Sequence, residues 1–157
     1  MAAVLSTGLG SAASHRTAAA LLGLTNRRPQ EVEVVSARTV RRERSWVAHQ
    51  SRDLSASHIT TAGGIPVTTC ARTIVDVAGT APFLIERLAD QAVRLRLMDY
   101  TELGRLVDSV RRHGCSGVVA VSELVASRMD WMGRTESELE DQFRSLLTEA
   151  GIEHPQT

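Results

Sequence analysis

The sequence predicts an α+β fold in which a small mixed or antiparallel sheet near the front packs against a helical half behind it. Three observations carry this expectation. Short runs rich in β-branched residues, Val32-Glu33-Val34-Val35, Trp46-Val47-Ala48-His49, Ile59 to Thr61 and Ile65-Pro66-Val67, are bounded by turn residues. From Pro82 onward apolar residues recur at spacings of three and four, the period of a helix face. A chain of 157 residues that is 43% hydrophobic has material for one core with a short appendage.

Taken in order, residues 2–5 read as a helix end cut by Gly8 and Gly10. Ser14 is placed to cap a short helix through Leu22, with Ala18, Leu21 and Leu22 on one face and Gly23 as terminator. Two strands follow at 32–35 and 46–49, with residues 38–44 as a polar hairpin loop or a ragged continuation of a strand. Gly63-Gly64 supplies the positive torsions of a tight hairpin turn between the next two strands. Thr68 or Thr69 caps a helix through Val77 that turns Ile74, Val75 and Ala78 inward. Pro82 suits a first helical turn. Leu84, Leu88, Ala92 and Leu95 then form one stripe, Leu103, Leu106, Val107 and Val110 the next, and Val118, Val121, Leu124 and Val125 a third. Residues 129–134 read as a linker. The last helix starts at the capping box Thr135-x-x-Glu138, buries Leu139, Phe143, Leu146 and Leu147, and ends at Gly151.

Composition narrows the function. Aromatics are only 3%, so bases would find few stacking platforms. No apolar run approaches the roughly 20 residues of a membrane span, which excludes a membrane partner of that kind. No secretory signal is evident, and Cys70 and Cys115 stand alone as thiols, so the expected location is cytoplasmic. Net charge is zero and every cation is Arg, but the charge is graded. Residues 27–53 carry seven Arg against four acids, and residues 130–157 carry seven acids against two Arg.

The candidate sites are few. Arg38, Arg41, Arg42 and Arg44 could touch phosphates by charge without reading sequence. Glu43 interrupts them and no recognition helix follows, so a solvated loop is the favoured reading. His49, Ser51 and Asp53 offer the residue types of nucleophile chemistry, but a polar strand end is favoured. His15, His49, His58, His113 and His154 show no metal-ligand spacing. Arg72 and Asp76 lie four apart on one predicted helix and can pair, a structural role that would anchor helix to sheet. No motif calls for a cofactor.

Four segments together carry a family resemblance. They are Ser14 to Ala19, His49 to Leu54, Gly64-Ile65-Pro66-Val67-Thr68-Thr69-Cys70-Ala71-Arg72-Thr73-Ile74-Val75-Asp76, and Thr135 to Phe143 followed by Gly151-Ile152. In this order they resemble actinobacterial proteins related to the AbiEi antitoxins of type IV toxin–antitoxin systems. Many of these end in a domain similar to very-short-patch-repair endonucleases. The resemblance implies an antitoxin-like domain over residues 1–128, without the winged helix that usually precedes it, and a truncated first endonuclease helix over 135–157. Glu140 falls where the family has its acidic residue, a vestigial metal ligand whose partners on later strands have no counterpart here. Glu138, Glu140 and Asp141 share one helical turn and cannot alone cradle Mg²⁺.

The expectation is therefore a non-catalytic antitoxin-family protein, an interaction module or a remnant. The implied partner is a nucleotidyltransferase-type toxin. Operator DNA is disfavoured without a helix-turn-helix. Self-association through the C-terminal helix would cover its apolar stripe. Half of a split metal-dependent endonuclease, completed by another chain, is the rival from the enzyme class, and a weak nucleic-acid-binding module is the third.

Overall fold

The computed structural model describes residues 2–8, 10–38, 45–110, 117–133 and 136–151. The chain divides into two compact units, Met1–Val125 and Ala126–Thr157.

The first unit opens with α1 (Ala2–Thr7), closed by Gly8 at φ 86°. Then come β1 (Ala12–Ala13), α2 (His15–Leu21), β2 (Val32–Ser36) and β3 (Trp46–Gln50). A 3₁₀ turn (Ala56–His58) leads into the hairpin β4 (Ile59–Ala62) and β5 (Ile65–Thr68), whose turn glycines Gly63 and Gly64 have φ 55° and 77°. The helical half follows: α3 (Cys70–Ala78), a 3₁₀ turn (Pro82–Leu84), α4 (Ile85–Arg94), α5 (Tyr100–Val110) and the start of α6 (Val118–Met132).

The five strands lie in the order β3-β2-β1-β5-β4. The sheet is mixed: β1 runs antiparallel to β2 and parallel to β5, while β2 and β3 are parallel and β4 and β5 antiparallel. The expected hairpin between β2 and β3 is thus corrected to a parallel pair, for which the nine residues 37–45 are long enough to return along a five-residue strand. The register sets Val35 opposite His49 and Glu33 opposite Val47. Glu33 and His49 therefore project from the same face, two positions apart, and their side chains can meet. Arg38 is exposed just past β2; Arg41, Arg42 and Arg44 lie outside the described residues.

β1 is the strand that local sequence does not announce. Ala12 and Ala13 have weak strand preference, but both are fully buried between β2 and β5, where neighbours on either side satisfy their backbone. Val4, Ala13, Ala18, Val34, Trp46 and Val67 form one core cluster around the sheet. A second joins the helices through residues such as Ile74, Val77, Leu88, Leu103, Val107 and Val121.

α3 is the hub. Thr69 caps it, its hydroxyl accepting from Arg72 N, and every residue from Cys70 to Ala78 except Asp76 is buried. At its far end Gly117, at φ 96°, lies so close that an added Cβ would sit 2.6 Å from Ala78 C and Gly79 N. A side chain there would force α6 away from α3.

In the second unit α6 continues as helix through Met132, over residues expected to form a linker, because nothing breaks it before Gly133. α7 (Glu136–Glu149) ends near Gly151 at φ 67°. Thr135 of the expected capping box lies outside the described residues. Of the face expected to be buried, Phe143 and Leu146 are each 57% exposed and Leu147 is half-buried.

Candidate functional site

Where β2 and the C-terminal end of β3 meet α2 and α3, polar side chains that the apolar pattern should exclude are buried. Glu33 is the first. Its side chain is only 3% exposed. Its Oε2 accepts from Arg16 N at 2.9 Å and from Arg16 Nε at 3.3 Å, and its Oε1 lies 3.4 Å from the donor Arg16 Nη2. Its own N–H donates to Thr17 Oγ1 at 2.9 Å. Glu33 thus does the capping of α2 that the sequence assigns to Ser14, whose hydroxyl makes no cap bond. Burial by itself would raise the Glu33 carboxyl, but the contacts from His49 and Arg16 outweigh it and hold the group down to about 2.

His15, the first residue of α2, sits at φ 49°, a left-handed conformation that is costly for a side-chain-bearing residue. Ser14 N–H donates to Glu33 O at 3.0 Å, and His15 Nδ1 lies 3.0 Å from Ser14 Oγ. The strained backbone delivers the imidazole onto His49, with the rings stacked at 3.6 Å between centroids. Burial first, then the neighbouring His49, lowers the His15 pKa to about 3, so it is neutral at physiological pH. His49 Nε2 lies 3.5 Å from Glu33 Oε1, without an aligned hydrogen bond.

Arg72 on α3 is the second centre. Its Nε donates to Asp76 Oδ1 at 2.8 Å and its Nη2 to Ser51 Oγ at 2.8 Å, while Nη1 lies 3.5 Å from His58 Nδ1. That nitrogen also accepts from Ser55 N–H at 3.4 Å, so it carries no proton. Burial and the Arg72 charge both lower the His58 pKa, in keeping with a neutral ring. The guanidinium therefore ties α3 to the loop after β3 and to the 3₁₀ turn before β4. Asp76 is poorly provided for. Its side chain is 7% exposed, Oδ2 has no partner, and burial lifts its pKa to about 6 against the pull of Arg72.

Between the two centres lies a cleft of about 250 Å³, walled by His15, His49, Ser51, Asp53, Arg72 and Asp76 among others. The geometry does not make Ser51 a nucleophile: its hydroxyl accepts from Arg72 and makes no hydrogen bond to a histidine base among the described residues. Nor do three His, Cys, Asp or Glu side chains converge as a metal set among the described residues. Cys70 is a free buried thiol whose pKa burial pushes up to about 11, well away from reactive range.

The sequence-level candidates are distributed unevenly. Arg72, Asp76, Ser51, Asp53 and His49 come together; Arg38 stands apart on the surface. Glu140 is exposed on α7 and pairs with Arg144 at 3.4 Å, beside an Asp141–Arg144 pair at 3.1 Å; Glu138 is also exposed there. The Glu33–His15 half was missed. A single acid inside the run Val32-Glu33-Val34-Val35 was the available signal, since a charge in a buried strand needs partners.

Fold and cleft define a small α+β domain in which a buried polar network locks a mixed sheet to its helices. Residues 11–127 match the family model of the AbiEi antitoxin C-terminal domain, and the chain belongs to that family. Three of the four segments that carry the sequence resemblance, those containing His15, His49 and Arg72, contribute to the network, while its Glu33 and His58 lie outside them. No curated protein and no solved structure matches the chain. Among the described residues no helix is long and apolar enough to cross a membrane.

Proposed function

We propose that this domain is a non-catalytic protein-binding module whose partner is a nucleotidyltransferase-type toxin, acting in the cytoplasm. Family membership supports the toxin–antitoxin setting. The observation that carries the non-catalytic part is Arg72. A buried arginine serving a phosphate or an oxyanion turns its donors toward it, whereas each nitrogen of this one already faces a partner, Asp76, Ser51 or His58. In this reading the network is a scaffold that fixes the ends of β2, β3 and α3 so that the surface around them keeps one shape. α7 is then a helix of an endonuclease-like segment, its Glu140 held by Arg144 and taking no part in metal chemistry.

Co-expression with a nucleotidyltransferase-type toxin tests the proposal. Growth should recover and the two proteins should co-purify. Failure of the toxin to be retained, or Mg²⁺-dependent DNA cleavage by the purified chain, would overturn it.

A further inference from the structure

The cleft has more to offer than rigidity, because one of its walls is chemically unfinished. Asp76 Oδ2 is buried without a hydrogen-bond partner, and a carboxylate oxygen in that position costs stability unless something supplies a donor. The cation already present cannot supply it: Arg72 reaches the other oxygen and turns its remaining nitrogens to Ser51 and His58. A second carboxylate, Asp53, lines the same cleft, and the nearby Glu33 is matched by Arg16. The ionisable side chains that line the cleft besides the two histidines are the carboxylates of Asp76 and Asp53 and the guanidinium of Arg72.

We propose that the cleft bounded by His15, His49, Ser51, Asp53 and Asp76 receives the guanidinium of an arginine side chain from a partner protein. This rests on the reading of the chain as a protein-binding module. A guanidinium brings five N–H donors in a rigid plane and cannot lose its charge, which fits a site with a vacant carboxylate oxygen and a hydroxyl. An anion would have to compete for Arg72 nitrogens that already face Asp76, Ser51 and His58. A cleft of about 250 Å³ falls below the roughly 300–1,000 Å³ of pockets that enclose a whole small-molecule ligand, and suits a single side chain. The His15 and His49 rings stack on each other, which leaves fewer ring faces for a nucleobase.

The test is an NMR titration of the full chain with N-acetyl-L-arginine amide, following the imidazole Cε1–H signals of His15 and His49. Saturable shifts are expected. N-acetyl-L-citrulline amide, isosteric but uncharged, should bind about tenfold more weakly or worse. Asp76→Asn should abolish the response. Because that variant alters a buried pair, Thr80→Trp is a second variant: Thr80 is exposed at the cleft wall, and the indole should block entry in a chain whose spectrum is otherwise unchanged. Equal binding of the citrulline probe, retained binding in both variants, or tighter binding of guanosine than of the arginine probe would overturn the proposal. So would absence of any shift, which would leave Asp76 Oδ2 to a trapped water. A chain that neutralises its toxin yet ignores the arginine probe sinks only this inference. One that binds the probe but no toxin sinks only the assignment of partner.

Discussion

Glu33 on β2 and Asp76 on α3 are both buried carboxylates next to an arginine, yet their pKa values move in opposite directions. Glu33 falls to about 2 and Asp76 rises to about 6, although burial pushes both upward. The difference lies in what each carboxylate receives. Glu33 is met by a backbone N–H, a guanidinium and an imidazole. Asp76 receives one guanidinium N–H on one oxygen and nothing on the other. Donor supply set against burial separates an acid that stabilises the fold by ionising from one that the fold would rather keep protonated.

The strongest test of this contrast removes the donor they do not share. Arg72→Ala should cost about 3–5 kcal/mol at neutral pH, because it strands a buried carboxylate and frees two loops from α3. Urea unfolding measures it, and a loss below about 1 kcal/mol would mean that Asp76 is served by another group. Glu33→Gln should cost less, about 1.5–3 kcal/mol, the range for hydrogen bonds to a charged group. The sign follows from the lowered pKa. The Glu33 contribution is fully present above its ordinary value of 4.5 and is lost as pH falls toward about 2. The gap between wild type and Glu33→Gln should therefore be wider at pH 7 than at pH 3.

Asp76 predicts the reverse slope. Between its ordinary 3.8 and about 6 the folded chain holds a proton that the unfolded chain has released, so its contribution falls as pH rises through that window. Wild type should lose stability relative to Asp76→Asn from pH 4 to pH 6, and the difference should level off above. A wild type that gains on the variant over this interval would show that Asp76 is as well satisfied as Glu33.

Much of the frame was legible from local patterns. Thr69 caps α3, Gly63-Gly64 turns the β4–β5 hairpin, and Leu88, Ala92, Leu103 and Val107 face inward at helical spacing. The site was legible by halves. Arg72 and Asp76 are four residues apart on one helix, so their pairing is a local fact. His15, Glu33 and His49 come from three elements, and only the parallel register of β2 and β3 brings them together. That register was hidden because a polar connector between two short strands looks the same whether the chain turns back or returns to run parallel. Similarly, β1 exists by virtue of its neighbours, and Ala12-Ala13 carries no strand signal of its own.

Glu140 supplies the third point on the scale, an acid in solvent, and the smallest effect. Its carboxylate lies 3.4 Å from Arg144 Nη2, and both side chains are well exposed. Water and salt screen such a pair, and holding two long side chains together costs entropy, so exposed ion pairs contribute between nothing and about 1 kcal/mol. Glu140→Ala should thus shift stability by no more than about 0.5 kcal/mol. It should leave toxin retention unchanged, where Arg72→Ala, by releasing the loops around the cleft, weakens it. The two substitutions compared in one co-purification assay separate the roles of the two regions. If Glu140→Ala releases the toxin and Arg72→Ala does not, the partner docks on α7 and the buried network serves the fold alone.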